Sequence, residues 1–114
     1  MLTVHTAQIG RYAGADGLDV TIKSAPPEGR PFAPDRWDLV LGAKRGTISP
    51  REYREYYTAL MARSQAAHAT AWAALLARER VTLLCYCAPT FRVCHRRLLA
   101  EILVGCGAHD AGER

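Results

Sequence analysis

Residues Val81–Glu101, VTLLCYCAPTFRVCHRRLLAE, decide the fold. Val81–Leu84 is a β-prone apolar run, continued by Cys85, Tyr86 and Cys87. A run of that length with little polar interruption predicts a central parallel strand covered on both faces. Alternation along the strand places Cys85 and Cys87 on one face and Tyr86 on the other. Pro89 cannot donate to a ladder and ends the strand. Val93, Leu98, Leu99, Ile102 and Leu103 then recur at helical spacing. They predict a helix that starts near Thr90–Cys94, with Cys94, His95 and Arg96 in or near its first turn.

Strand, loop and helix in that order put binding groups at the carboxyl end of an α/β sheet. Free N–H groups at a helix start favour anions, and a cysteine there is open to a lowered pKa. Arg92, Arg96 and Arg97 add positive charge. Two functional readings follow. One is a thiolate or anion site, with Cys87 or Cys94 as the reactive sulfur and His95 as base or charge partner. The other is a metal site for zinc or iron, built from Cys87, Cys94 and His95 with Cys85 as a further candidate. Six residues separate Cys87 from Cys94, wider than a C-x-x-C knuckle, and Val93 stands where a C-x5-R phosphate loop needs arginine. Against both readings stands an inert one, because cysteine is among the most buried residue types.

The segments VTLLCYCAP and CHRRLLAEIL resemble the C-terminal signature of the bacterial and phage family called domain of unknown function 488. That family carries a strand ending in Leu-Leu-Cys, a short loop, then Cys-His-Arg and an apolar helix. LDVTIKS, Leu18–Ser24, is similar to its Asp-Val-Arg strand, and YREYYTALM, Tyr53–Met61, to its tyrosine-containing helix. Lys23 stands near the expected arginine. Tyr86-Cys87 replaces the small-plus-acidic pair that often follows the first cysteine. The resemblance implies the fold and the place of the site more than a chemistry.

A chain of 114 residues predicts one domain, residues 1–114, long enough to bury a core without staples. No apolar run approaches a membrane span, and MLTVHTAQIGRY lacks the basic start and apolar core of an export signal. A cytoplasmic protein with reduced thiols is the expectation. The net charge of +4 allows a phosphate-bearing ligand or nucleic acid as partner without requiring one. Thirteen of the 15 basic residues are arginine, spread along the chain and not gathered in a stripe. An Arg- and Ala-rich chain is also what a GC-rich genome writes.

Leu2–Gln8 alternates and predicts a first strand, followed by a loop over Gly10–Gly17. Leu18–Ser24 predicts a second strand, ending in Lys23 and Ser24. If it runs parallel to Val81–Cys87, both strand ends open on one edge, and Lys23 and Ser24 become candidate anion contacts beside Arg92 and Arg96. Ala25–Pro34 holds four of the six prolines and reads as an irregular connection at a pocket rim. Asp35–Ala43 suggests a short helix. Lys44-Arg45, between Gly42 and Gly46, is an accessory phosphate contact without phosphate-loop spacing. Ser49-Pro50-Arg51-Glu52 is a capping box that opens the clearest helix, whose tyrosines read as core packing. Ser64–Thr70 predicts a break before a second helix carrying Trp72, Leu75 and Leu76. After the last helix, Ala108–Arg114 reads as a tail. The sum is a single α/β domain with a mostly parallel sheet of three or four strands flanked by helices. Its function stays open between a thiolate or anion site acting on a nucleotide or nucleic-acid ligand, a metal-binding module and a non-catalytic structural domain. Whether it is an enzyme, and its oligomeric state, are likewise open.

Overall fold

The computed structural model describes residues 1–91 and 94–114. Arg92, an expected anion contact, and Val93 lie outside the described residues. The sheet has four parallel strands: β1 (Thr3–Gln8), β2 (Gly17–Asp19), β3 (Arg80–Cys85) and β4 (His109–Glu113), in the order β2-β3-β1-β4. The α/β expectation holds, and the run that starts at Val81 occupies a central position.

Burial follows from the register. Val4 pairs with Val81, Thr6 with Leu83 and Gln8 with Cys85, so Val81, Leu83 and Cys85 share one face of β3. That face joins Leu99 and Leu103 of helix α4 (His95–Gly105) and Tyr57 and Met61 of helix α2 (Pro50–Ala67) in one core. On the other face, the hydroxyl of fully buried Thr82 donates to Asp16 and accepts from Nε of Arg114, both at 3.1 Å. A loop and the chain end therefore cover this face of β3.

The local signals of α2 work as read. Ser49 accepts from the Glu52 N–H at 3.1 Å, and Glu52 reaches back to the Ser49 N–H at 3.0 Å. Tyr53 and Tyr57 are buried, and the Tyr57 hydroxyl donates to the Phe32 carbonyl at 2.7 Å. The expected break falls at His68, between α2 and α3 (Ala69–Leu76). Helix α1 (Trp37–Arg45) ends on Gly46, whose φ of 78° is the left-handed cap that glycine provides without strain.

Three local expectations are corrected. The second strand stops at Asp19 instead of Ser24, because the Asp19 carboxylate accepts from the Thr21 N–H at 2.8 Å and turns the chain. Lys23 and Ser24 thus lie in a turn beyond the strand. The proline-rich connection forms a short 3-10 turn, Arg30–Phe32, packed beneath α2, and contributes nothing to the cavity at the cysteines. The expected tail is strand β4. Its sequence, HDAGE, carries no apolar pattern because it is an exposed edge strand held by backbone pairing to β1. Its register skips Ala111, between the pairs Val4–Asp110 and His5–Gly112.

Gly29 sets how closely the 3-10 turn approaches β2. A Cβ there would lie 1.9 Å from the Asp19 carbonyl oxygen, a backbone atom with no freedom to yield. Gly29→Ala is expected to destabilise the protein by about 2 kcal/mol through overpacking, measured by urea unfolding. An unchanged midpoint would show that the turn relaxes freely.

Candidate thiol site

The carboxyl end of β3 and the start of α4 place three sulfurs together. Cys85 is the last residue of β3, Cys87 follows it, and Cys94 is the N-cap of α4. Their Sγ atoms all lie within 4.8 Å of one another. Cys85 and Cys94 are buried with Sγ atoms 2.6 Å apart, while Cys87 is half-buried. Cys106 is exposed at the far end of α4.

The sulfurs rest on Arg96, which is wholly buried. Its Nη1 donates to Cys85 Sγ at 2.8 Å and to the Cys87 carbonyl at 2.8 Å, with Cys94 Sγ at 3.6 Å. Its other edge grips Glu113 of β4, Nη2 to Oε2 at 2.9 Å and Nε to Oε1 at 3.3 Å. Arginine has donors and no acceptor, so the sulfur it meets must accept. A thiol accepts weakly and a thiolate strongly. The thiols of Cys87 and Cys94, turned toward Cys85, pull its pKa far below the usual thiol range. The Arg96 charge adds to this against the opposing effect of burial. The same sharing raises Cys87, and burial raises Cys94. Within the cluster these effects favour negative charge on Cys85 over Cys87 and Cys94.

His95 lies at the first turn of α4, with one ring nitrogen committed to the backbone. Its Nε2 is 2.8 Å from the Val20 carbonyl, which only accepts, so this nitrogen carries the proton. Burial lowers its pKa, and the ring, 5.8 Å from that of Tyr57, is a neutral imidazole. It lines the same cavity as the sulfurs without being one of the three converging ligand atoms.

That cavity measures about 390 Å³ and opens over Cys85, Cys87 and Cys94. Lys23 and Lys44 both line it, and its walls include Trp37, Tyr53 and Tyr86. The Lys23 ammonium lies 5.4 Å from the Tyr86 ring centre. Ser24 sits nearby with its hydroxyl committed, donating to Asp19 at 2.5 Å and lying 2.9 Å from the Tyr86 hydroxyl. Arg96 stands behind the sulfurs and is not a lining residue. The structure thus gathers Cys87, Cys94, His95 and Lys23 around one space and promotes Lys44 from accessory to wall. Cys85 is central where sequence left it between core thiol and further ligand. Glu113 was missed altogether, since nothing in HDAGE marks a partner for an arginine 17 residues earlier.

The DUF488-N3a family, described as the active DUF488-N3 subclade, matches residues 30–106. That range includes the tyrosine-bearing helix and the whole Cys-His-Arg segment, while Leu18–Ser24 lies before it. Neither a curated protein nor a solved structure matches the chain. Among the described residues no helix is long and apolar enough to cross a membrane.

The Glu113 side chain is 19% exposed and closes the ion pair. Burial alone would raise its pKa, but the bonds from Arg96 and Thr6 and the Arg96 and Arg97 charges together hold it below the usual carboxylate value of 4.5. Glu113→Gln is expected to cost about 3 kcal/mol near neutrality, because Arg96 is left buried and unpaired. A folded pKa below the unfolded one gives stability that is complete above pH 4.5 and lost as pH falls through the folded value. Urea unfolding at several pH values should therefore show wild type and variant converging in acid. A gap that stays constant across that range would remove the ion pair from the account.

Proposed function

The chain belongs to the DUF488 family, and on that premise we propose that its cavity is an active site worked by the thiolate that Cys85, Cys87 and Cys94 share. The observation that carries this is the buried Arg96 guanidinium donating to Cys85 Sγ at the cavity floor. A buried thiolate with a fixed cationic donor is an expensive arrangement for packing alone. Strongly perturbed groups in a cleft are the usual mark of a functional site. The description of the matching subclade as active is in keeping with a catalytic reading.

Within this reading Cys85 stores the negative charge and Cys87 delivers it. Cys87 is the half-buried sulfur and follows Cys85 by two residues. A proton passing from Cys87 to Cys85 moves the charge to the sulfur best placed to meet a ligand. Cys94 remains a thiol donor between strand and helix. Neutral His95, with its proton on Nε2, keeps Nδ1 as the nitrogen able to accept a proton. Arg96 acts through the sulfurs as a positioning residue.

A second reading rests on a separate observation, the convergence of three sulfurs within 4.8 Å. Three thiolates around one zinc, each at about 2.3 Å, sit about 3.8 Å apart, within reach of small side-chain adjustments here. Zinc or iron with three thiolates carries the same net charge as a single thiolate, so the Arg96–Glu113 frame suits either. N–H donors to metal-bound sulfur are common supports.

Iodoacetamide labelling followed residue by residue by mass spectrometry separates the readings, on reduced, untagged protein with metal content measured in parallel. The thiolate reading expects Cys87 to label at least about tenfold faster than exposed Cys106 at neutral pH, because it is the half-buried sulfur that receives the negative charge from Cys85. Equal, slow labelling of all four cysteines in metal-free protein would sink it. Near-stoichiometric zinc or iron that disappears in Cys94→Ala would establish the metal reading instead.

A further inference from the structure

The chain contains two lysines against thirteen arginines, and both lysines line the cavity over the sulfurs. They come from unrelated places, Lys23 from the turn after β2 and Lys44 from the last turn of α1. Among the described residues neither ammonium has a carboxylate within ion-pair distance, and no acidic residue lines the cavity. Two cations at one opening, with no lining carboxylate and the one thiolate of the cluster already met by Arg96, leave a net positive site whose complement is negatively charged.

The walls add a shape. Trp37, Val40 and Lys44 recur at helical spacing, so one face of α1 forms a side of the cavity. Tyr86 and Phe91, from the loop after β3, line the same cavity. Trp37 is 49% exposed and Tyr86 41% exposed, a large aromatic surface that packing leaves uncovered. Aromatic faces of this kind stack on planar rings. The volume of about 390 Å³ suits one small molecule, near the lower end of ordinary ligand pockets. In sequence the arginines are spread along the chain and not gathered in a stripe of the kind that tracks a polymer.

We infer that the cavity takes a mononucleotide-sized ligand, a planar ring bearing a phosphate ester, with the ring between Trp37 and Tyr86 and the phosphate at Lys23 and Lys44. The inference rests on the reading of this cavity as the active site, and it names the class of molecule the sulfurs meet. Lysine suits the task as a mobile point charge that follows a phosphate without fixing its angle.

The test titrates the 114-residue chain with phenyl phosphate and adenosine monophosphate, following Trp37 fluorescence over the constant signal of buried Trp72. Inorganic phosphate, adenosine and a short single-stranded oligonucleotide serve as comparisons. Both ring-bearing phosphates should quench Trp37 and bind more tightly than inorganic phosphate or adenosine. Lys23→Gln and Lys44→Gln, both at exposed positions, should each weaken them about tenfold, the loss of one charged hydrogen bond. Equal binding of adenosine would overturn the role of the cations, and equal binding of inorganic phosphate that of the ring. Tighter binding of the oligonucleotide would make the surface a polymer site. No binding by any probe, in protein whose Cys87 labels fast, would overturn the inference and leave the thiolate intact. Ring-phosphate binding by protein whose cysteines all label slowly would do the reverse.

Discussion

A single buried guanidinium holds the candidate site together. Arg96 has no exposed surface, yet each of its nitrogens is engaged: two with Glu113, the third with Cys85 Sγ and the Cys87 carbonyl. Through it the end of β3, the start of α4 and the edge strand β4 become one unit. A charge this deep is tolerated only when every donor finds an acceptor. The carboxylate satisfies one edge. On the other edge the Cys87 carbonyl and the Cys85 sulfur accept, and an anionic sulfur there would repay the loss of water best.

The same constraint explains why β4 exists. HDAGE has little to bury and sits at the sheet margin, where no apolar alternation calls it into place. It pairs with β1 and delivers Glu113, whose Oε1 also accepts from the Thr6 hydroxyl at 2.5 Å. Edge strand and ion pair support each other. The chain end that covers Thr82 on the far face continues from this strand, so one short segment finishes both sides of the sheet.

The parts of the fold governed by local rules were legible in sequence. The buried run of β3, the capping box of α2, the tyrosine spacing and the helix after Cys94 each carry their signal within a few residues. What depends on distant partners was not. The second strand ends early because the Asp19 side chain competes for the backbone, a choice its alternating pattern hides. Cys85 looked like a core thiol because its neighbours are apolar, and only the fold brings Arg96 and Cys94 against it. Glu113 is unremarkable among eleven acidic residues until its partner is known. Lys44 gained importance through α1, whose placement sets its side chain over the cavity with Lys23. His95 illustrates the opposite case, a residue flagged by type whose Nε2 is committed to the Val20 carbonyl.

The central claim is that one sulfur of the cluster is anionic at neutral pH, held so by the two neighbouring thiols with Arg96 adding its charge. The direct measurement is the ultraviolet thiolate absorbance of reduced, chelator-treated protein as a function of pH, in the Cys106→Ser background so that the exposed thiol is silent. The account predicts about one thiolate equivalent that persists to about pH 6 or below, well under the ordinary thiol range near 8.5. The remaining cluster thiols should ionise only in strong alkali. Absorbance that first appears near the ordinary thiol range would show three neutral thiols packed against a buried arginine, and the thiolate account would fall.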